Sequence, residues 1–198
     1  MIFSCSIDDI KARQHTDPNA IAWRDEVLDF LKRDYKLKPL EVDGKGFCLF
    51  NSAFVCLWTI GRRRDFQNGE DLFKNFIDYC YSNSERFTAT IIEIIAIYRS
   101  FDIWVNRQIR PIKNTTREGA LIILAEFLRV NIMLLSNERH SCTFYRAGDN
   151  NILTTIAIYH IGTAQGGHFV PLIPTWVWRE FVYFFLIFSK WLFAPVYK

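Results

Sequence analysis

The sequence has no pair of closely spaced cysteines and no long run of basic residues. Its five cysteines are an odd number without close-paired spacing, so no zinc site is indicated. The formal net charge of +3 is too small to predict a nucleic-acid partner. The first residues lack a basic region followed by an apolar stretch, so we expect no secretory signal and a reducing, cytoplasmic environment.

Internal repeats and low-complexity tracts are also lacking, and 50% of the 198 residues are hydrophobic. Such a chain is expected to bury one sizeable core. The spacing of apolar residues predicts helices at about residues 16–35, 48–61, 68–81, 84–99 and 119–129. Runs of β-branched and aromatic residues predict strands at 131–135, 142–145 and 152–159 and a last strand that begins at His168. Helices that precede a small sheet are typical of the α+β class.

Cys48 follows a turn that contains Gly44 and Gly46, and it opens an apolar run that predicts a helix. Because glycine permits tight turns and the first amides of a helix lack internal partners, such a segment can stabilise an anion. The thiolate, which is the nucleophilic form of cysteine, is favoured there. Cys48 is therefore a candidate nucleophile, although a lone cysteine among apolar residues is also typical of a hydrophobic core.

A second candidate, His168, follows a pair of glycines near the other end of the chain and precedes an apolar, strand-like stretch. A thiol nucleophile needs a base within hydrogen-bond reach, and folding can bring residues together that are distant in sequence. We therefore expect Cys48 and His168 to face each other. The other three histidines are expected on the surface or in packing positions. These are His15, His140 and His160.

Three segments carry a further signal because they occur in a recognisable order. Residues 42–50 read Val-Asp-Gly-Lys-Gly-Phe-Cys-Leu-Phe, residues 119–132 form a predicted helix followed by a strand, and residues 167–169 read Gly-His-Phe. Together they resemble the ovarian-tumour (OTU) family of cysteine proteases, which remove ubiquitin from proteins. The resemblance covers residues 38–174. It implies a papain-like α+β fold with a small, mostly antiparallel sheet packed between helices.

The resemblance implies a cysteine-type deubiquitinase. Cys48 would attack the carbonyl carbon of an isopeptide or peptide bond after the ubiquitin C-terminus and form a thioester, with His168 as the general base. The backbone of Lys45, Gly46 and Phe47 would hold the oxyanion. The partner would be ubiquitin or a ubiquitin-like modifier, and neither a metal nor an organic cofactor is called for.

Three positions depart from the family pattern. Lys45 replaces an aspartate, Phe47 replaces an asparagine, and Val170 replaces the Asn or Asp that orients the imidazole in many members. Valine cannot orient a histidine. The orienting group is then Asp43 or Asn150, or the site works as a Cys–His dyad. The alternative function is a weak or inactive ubiquitin-binding module.

The composition changes after Pro174, because residues 176–193 are rich in Trp, Tyr and Phe. The uncharged run 181–189 is shorter than the roughly 20 residues of a spanning helix, whereas flanking Trp and Tyr suit a membrane interface. The tail is expected to associate with a membrane, to pack on the domain or a partner, or to be the remnant of a longer chain. A third functional hypothesis is therefore a membrane-associated interaction protein. The predicted units are an N-terminal helical extension (1–37), a catalytic domain (38–174) and the aromatic tail (175–198).

Overall fold

A computed structural model describes residues 29, 32–33, 36–42, 46–62, 64–90, 98–109, 118–136, 141–147, 154–161 and 167–177. The described strands are β1 (Leu37–Pro39), β2 (Asn131–Ser136), β3 (Ser141–Tyr145), β4 (Thr155–Ile161) and β5 (His168–Pro174). The described helices are α1 (Cys48–Thr59), α2 (Gly69–Ser82), α3 (Ser84–Thr90), α4 (Phe101–Trp104) and α5 (Glu118–Leu128). A π-helical turn at Val105–Ile109 follows α4.

The five described strands form one sheet in the order β1-β5-β4-β2-β3. β1 pairs antiparallel with β5, β5 with β4, and β2 with β3, whereas β2 and β4 are parallel. The α+β class and the mostly antiparallel sheet predicted from the sequence are confirmed. The sequence does not predict β1, because three residues are too few to show the alternation of a strand.

The helix boundaries follow from local chemistry. The glycine after the C-cap of α1, Gly61, has φ +87°, a left-handed conformation that ends helices. The side chain of Asn68 accepts a hydrogen bond of 2.9 Å from the backbone amide of Asp71 and caps α2, as short polar side chains do. Both helices therefore lie within a few residues of their predicted ranges.

The main hydrophobic core lies between the helices and one face of the sheet. Because successive side chains of a strand point to opposite faces, Ile132 and Ile158 face the helices, whereas their neighbours Met133 and Tyr159 belong to a second core. Both faces of the sheet are thus buried. This burial fixes β5, the strand that carries His168, relative to α1.

The segment at 101–109 adds an element for which the sequence makes no prediction. The hydroxyl group of Ser100 accepts a hydrogen bond of 3.2 Å from the amide of Ile103 and caps α4. Trp104, the last residue of α4, is completely buried in the main core. The four helical residues of α4 are too few for a periodic pattern to reveal.

Several predictions lie outside the described residues. They concern most of the N-terminal helix at 16–35, the part of the fourth helix at 91–97, the loop residues 43–45, Asn150 and the tail beyond Val177. Among the helices that the structure describes, none combines the length and the apolar character needed to cross a bilayer.

Candidate functional site

Cys48 is the first residue of α1, and 8% of its surface is exposed. The preceding Gly46 has φ +89°, a conformation that glycine adopts without strain. Phe47 occupies the N-cap, and its side chain makes no capping hydrogen bond to the first turn. The chain therefore turns sharply just before the thiol, which lies at the positive end of the α1 dipole.

The other described cysteines lie in different surroundings. Cys56 and Cys80 are buried, and desolvation raises the pKa of each thiol to about 12. A thiol of this kind stays protonated and inert at neutral pH. Cys142 lies on β3 and is half-buried. Cys48 is the described cysteine that begins a helix, as the sequence predicts.

A buried hydrogen bond joins α1 to β5 close to His168. The hydroxyl group of Ser52, which is completely buried, donates a hydrogen bond of 2.9 Å to the backbone carbonyl of Phe169. Ser52 lies one helical turn after Cys48, and Phe169 follows His168. The bond therefore fixes the register between the two elements that carry the candidate residues.

A second contact gives the direction of α1 across the sheet. The thiol of Cys56 lies 3.5 Å from the backbone carbonyl of Ala157, and Ala157 pairs with Leu172. Moving one turn along α1 from Ser52 to Cys56 thus corresponds to moving along β5 from Phe169 toward Leu172. In the opposite direction, the turn that begins with Cys48 lies at the start of β5. Cys48 and His168 are therefore at the same end of the α1–β5 pair.

His168 makes an ion-pair contact that the sequence does not reveal. Its imidazole Nε2 lies 2.7 Å from Oε1 of Glu41, and the side chains are 27% and 79% exposed, respectively. A carboxylate at this distance favours one orientation of the imidazole ring. Glu41 is therefore the described carboxylate in a position to orient His168.

The antiparallel register explains how Glu41 reaches the histidine. β1 pairs Leu37 with Pro174 and Pro39 with Leu172, and the amide of Leu40 donates to the carbonyl of Pro171 at 3.0 Å. If this register is continued, Glu41 falls opposite Val170 and diagonal to His168. A long side chain can bridge such a diagonal pair. A glutamate two residues after the end of β1 thus lies beside Val170, where the sequence resemblance implies an orienting residue.

The structure describes part of the predicted site. Cys48, Gly46, Phe47 and His168 are described, and Val170 is buried on the second face of the sheet. The predicted residues outside the described ranges are Asp43, Lys45 and Asn150. Within the part of the chain that is described, no group of three or more His, Cys, Asp or Glu side chains is arranged to hold a metal ion.

His160 is a packing residue, in agreement with the sequence prediction. It is 8% exposed, and its ring packs against that of Phe169 in a tilted arrangement, with centroids 4.6 Å apart and planes at 36°. It pairs across the sheet with Phe169, next to the start of β5. His160 therefore supports the backbone from which His168 extends.

Removing the hydroxyl group of Ser52 is expected to destabilise the fold. Ser52→Ala leaves the carbonyl of Phe169 without this buried donor, and the free energy of unfolding should fall by about 1–3 kcal/mol. Urea denaturation measures the loss. Thr59→Val is the control, because the Thr59 hydroxyl only donates to Cys56 within the same helix, and its effect should stay within about 0.5 kcal/mol. Equal losses in the two variants would contradict the role assigned to Ser52.

The structure was compared with known proteins, and the similarity found is one of fold. No protein-family model and no curated protein matches the chain. The structure resembles OTU domains. The OTU domain of OTUD1 has a TM-score of 0.48 and 14% identity, with 78% of this chain and 94% of that chain covered. The viral OTU domain protease of Dera Ghazi Khan virus has a TM-score of 0.45 and 16% identity, with 69% and 80% covered. That of Qalyub virus has a TM-score of 0.44 and 14% identity, with 68% and 84% covered.

Proposed function

We propose that this protein is a cysteine hydrolase that cleaves isopeptide or peptide bonds after the C-terminus of ubiquitin or a ubiquitin-like modifier. The observation that carries the proposal is the contact of 2.7 Å between His168 and Glu41, at the end of β5 toward which the first turn of α1 points. A thiol at a helix N-terminus and an imidazole held by a carboxylate are the groups that acyl transfer requires. The assignment of ubiquitin as the substrate depends on the sequence resemblance at residues 42–50, 119–132 and 167–169.

In the proposed reaction, His168 takes the proton of the Cys48 thiol, and the sulfur attacks the carbonyl carbon of the substrate. The carbonyl oxygen becomes an oxyanion, which the amides at the start of α1 and in the preceding loop stabilise. The C–N bond breaks as the imidazolium of His168 gives its proton to the leaving amine. The product of this half-reaction is a thioester on Cys48.

Water completes the cycle. His168 takes a proton from the water as its oxygen attacks the thioester, the C–S bond breaks, and the proton returns to the sulfur. Glu41 touches His168 rather than the substrate and acts as a positioning residue. Because its carboxylate is 79% exposed, the ion pair itself is weak, and its contribution is to the orientation of the ring.

The test is turnover of ubiquitin that carries a fluorophore as a C-terminal amide. We expect the wild-type protein to release the fluorophore, and we expect prior treatment with iodoacetamide to prevent release. The same fluorophore on a peptide of only the last residues of ubiquitin is the control, and it should react much more slowly because it lacks the folded modifier. Binding of ubiquitin without turnover would instead identify an inactive binding module and would overturn the proposed activity.

A further inference from the structure

The residue directly before Cys48 makes an aromatic contact that the proposed reaction does not yet use. Phe47 is half-buried, and its ring lies edge-on against that of Phe73 in α2, with centroids 5.4 Å apart and planes at 70°. Phe73 makes a second edge-on contact with Phe50, at 4.9 Å and 69°. The ring of Phe73 therefore contacts residues on both sides of Cys48.

The start of α2 is also packed tightly against the first turn of α1. A Cβ atom added to Gly69 would lie 2.0 Å from the side-chain oxygen of Asn51 and 2.7 Å from its backbone nitrogen. That nitrogen donates the first helical hydrogen bond of α1, to the carbonyl of Phe47, at 2.7 Å. The first two turns of α2 thus support the first turn of α1, through backbone packing at Gly69 and aromatic contact at Phe73.

The absence of a capping hydrogen bond from the side chain of Phe47 gives the aromatic contact its importance. A Ser, Asp or Asn at the N-cap fixes the loop by bonding the amides of the first turn, and it thereby occupies them. Phe47 makes no such bond. Its position is determined by packing, and its side chain does not occupy the amides of the first turn.

We propose that Phe47 and Phe73 form a clamp that positions Cys48 and the amides beside it. The Phe47–Phe73 clamp replaces the capping side chain that a helix start of this kind ordinarily uses. Its role in catalysis rests on the proposed function, whereas its effect on the reactivity of Cys48 does not. Phe47 and Phe73 are positioning residues, since neither reacts.

The test is a double-mutant cycle of Phe47→Ala and Phe73→Ala with two readouts. The first is turnover of the ubiquitin amide, for which we expect each single variant to lower kcat about tenfold or more with little change in KM, because small displacements of a reacting group are costly. The second is the rate at which iodoacetamide alkylates Cys48, followed by mass spectrometry of its peptide at pH 6 to 9. That rate should fall in both variants, and its pH profile should change.

The double variant should be no slower than the slower single variant, because removing either ring already breaks the contact. Phe73→Tyr keeps the aromatic ring. Its turnover of the ubiquitin amide and the rate of Cys48 alkylation should therefore both equal those of the wild-type protein. Phe66→Ala is the matched control, since the ring of Phe66 lies 5.8 Å from that of Phe127 in α5, whereas the ring of Phe47 contacts Phe73. It should destabilise the protein without changing the pH dependence of Cys48 alkylation.

The outcomes separate the two proposals. The clamp proposal would be overturned if the losses of kcat in the two single variants were additive in the double variant. It would also be overturned if the pH dependence of Cys48 alkylation were the same in all variants. If the wild-type protein does not turn over the ubiquitin amide, the proposed function fails, while the alkylation readout still decides whether the clamp positions Cys48. A variant that does not fold is replaced by Phe73→Leu, for which the same loss of reactivity is expected.

Discussion

Replacing Cys48 by alanine is expected to abolish turnover of the ubiquitin amide, because no other described cysteine begins a helix beside β5. Replacing His168 by alanine should lower kcat by about 10²- to 10⁴-fold, the usual contribution of a general base. Both variants should keep their fold, since Cys48 lies at a helix end and His168 is part-exposed at the start of β5. Turnover and thermal unfolding measured on the same preparations check both expectations.

Glu41→Gln provides the graded comparison. It keeps the size of the side chain but removes the charge that faces His168, and we expect a smaller loss than for His168→Ala. Glu70→Gln is the matched control, because Glu70 is another exposed carboxylate with a single ion pair, to Lys74 at 3.0 Å. Loss of activity in Glu70→Gln equal to that in Glu41→Gln, or full activity in His168→Ala, would contradict the assigned roles.

Gly167→Ala is expected to lower both stability and activity. An added Cβ atom would lie 1.7 Å from Nε2 of His160 and 2.7 Å from two ring carbons. The ring is buried and packed against Phe169, so it cannot move away freely. We expect the free energy of unfolding to fall by about 1–3 kcal/mol, as overpacking typically costs. Turnover should fall as well, because the displaced backbone carries His168. Urea denaturation and kcat are the measurements.

The control for this prediction removes the ring. In a protein that already carries His160→Ala, the methyl group added by Gly167→Ala no longer meets the imidazole ring and should cost much less. Non-additivity between the two substitutions is therefore expected, as for residues in contact. Additive losses would show that the clash with His160 is not the cause.

The parts of the site that sequence reasoning predicts are those with local signals. A glycine turn followed by an apolar run indicates the helix that begins at Cys48, and a glycine pair before an apolar stretch indicates the strand that begins at His168. Both elements begin at the predicted residues. Local signals of this kind need no knowledge of the rest of the fold.

Glu41 has no such signal. Its position depends on the antiparallel pairing of β1 with β5 across more than 130 residues of sequence, and β1 itself is too short to predict. The sequence therefore points to the nearest carboxylate in the glycine loop, Asp43, and to Asn150, whereas the contact with His168 comes from the segment that directly follows β1. The Phe47–Phe73 clamp is missed for the same reason, since two helices must pack before the rings meet.

The most direct measurement of the central claim is the mapping of a covalent ubiquitin adduct. Ubiquitin with an electrophile in place of its C-terminal carboxylate is incubated with the wild-type protein and with His168→Ala, and the modified peptide is identified by mass spectrometry. We predict one ubiquitin per protein, attached to Cys48, and formation of the adduct at least about 10²-fold more slowly in His168→Ala. Attachment at another cysteine, or the same rate in both proteins, would contradict the account.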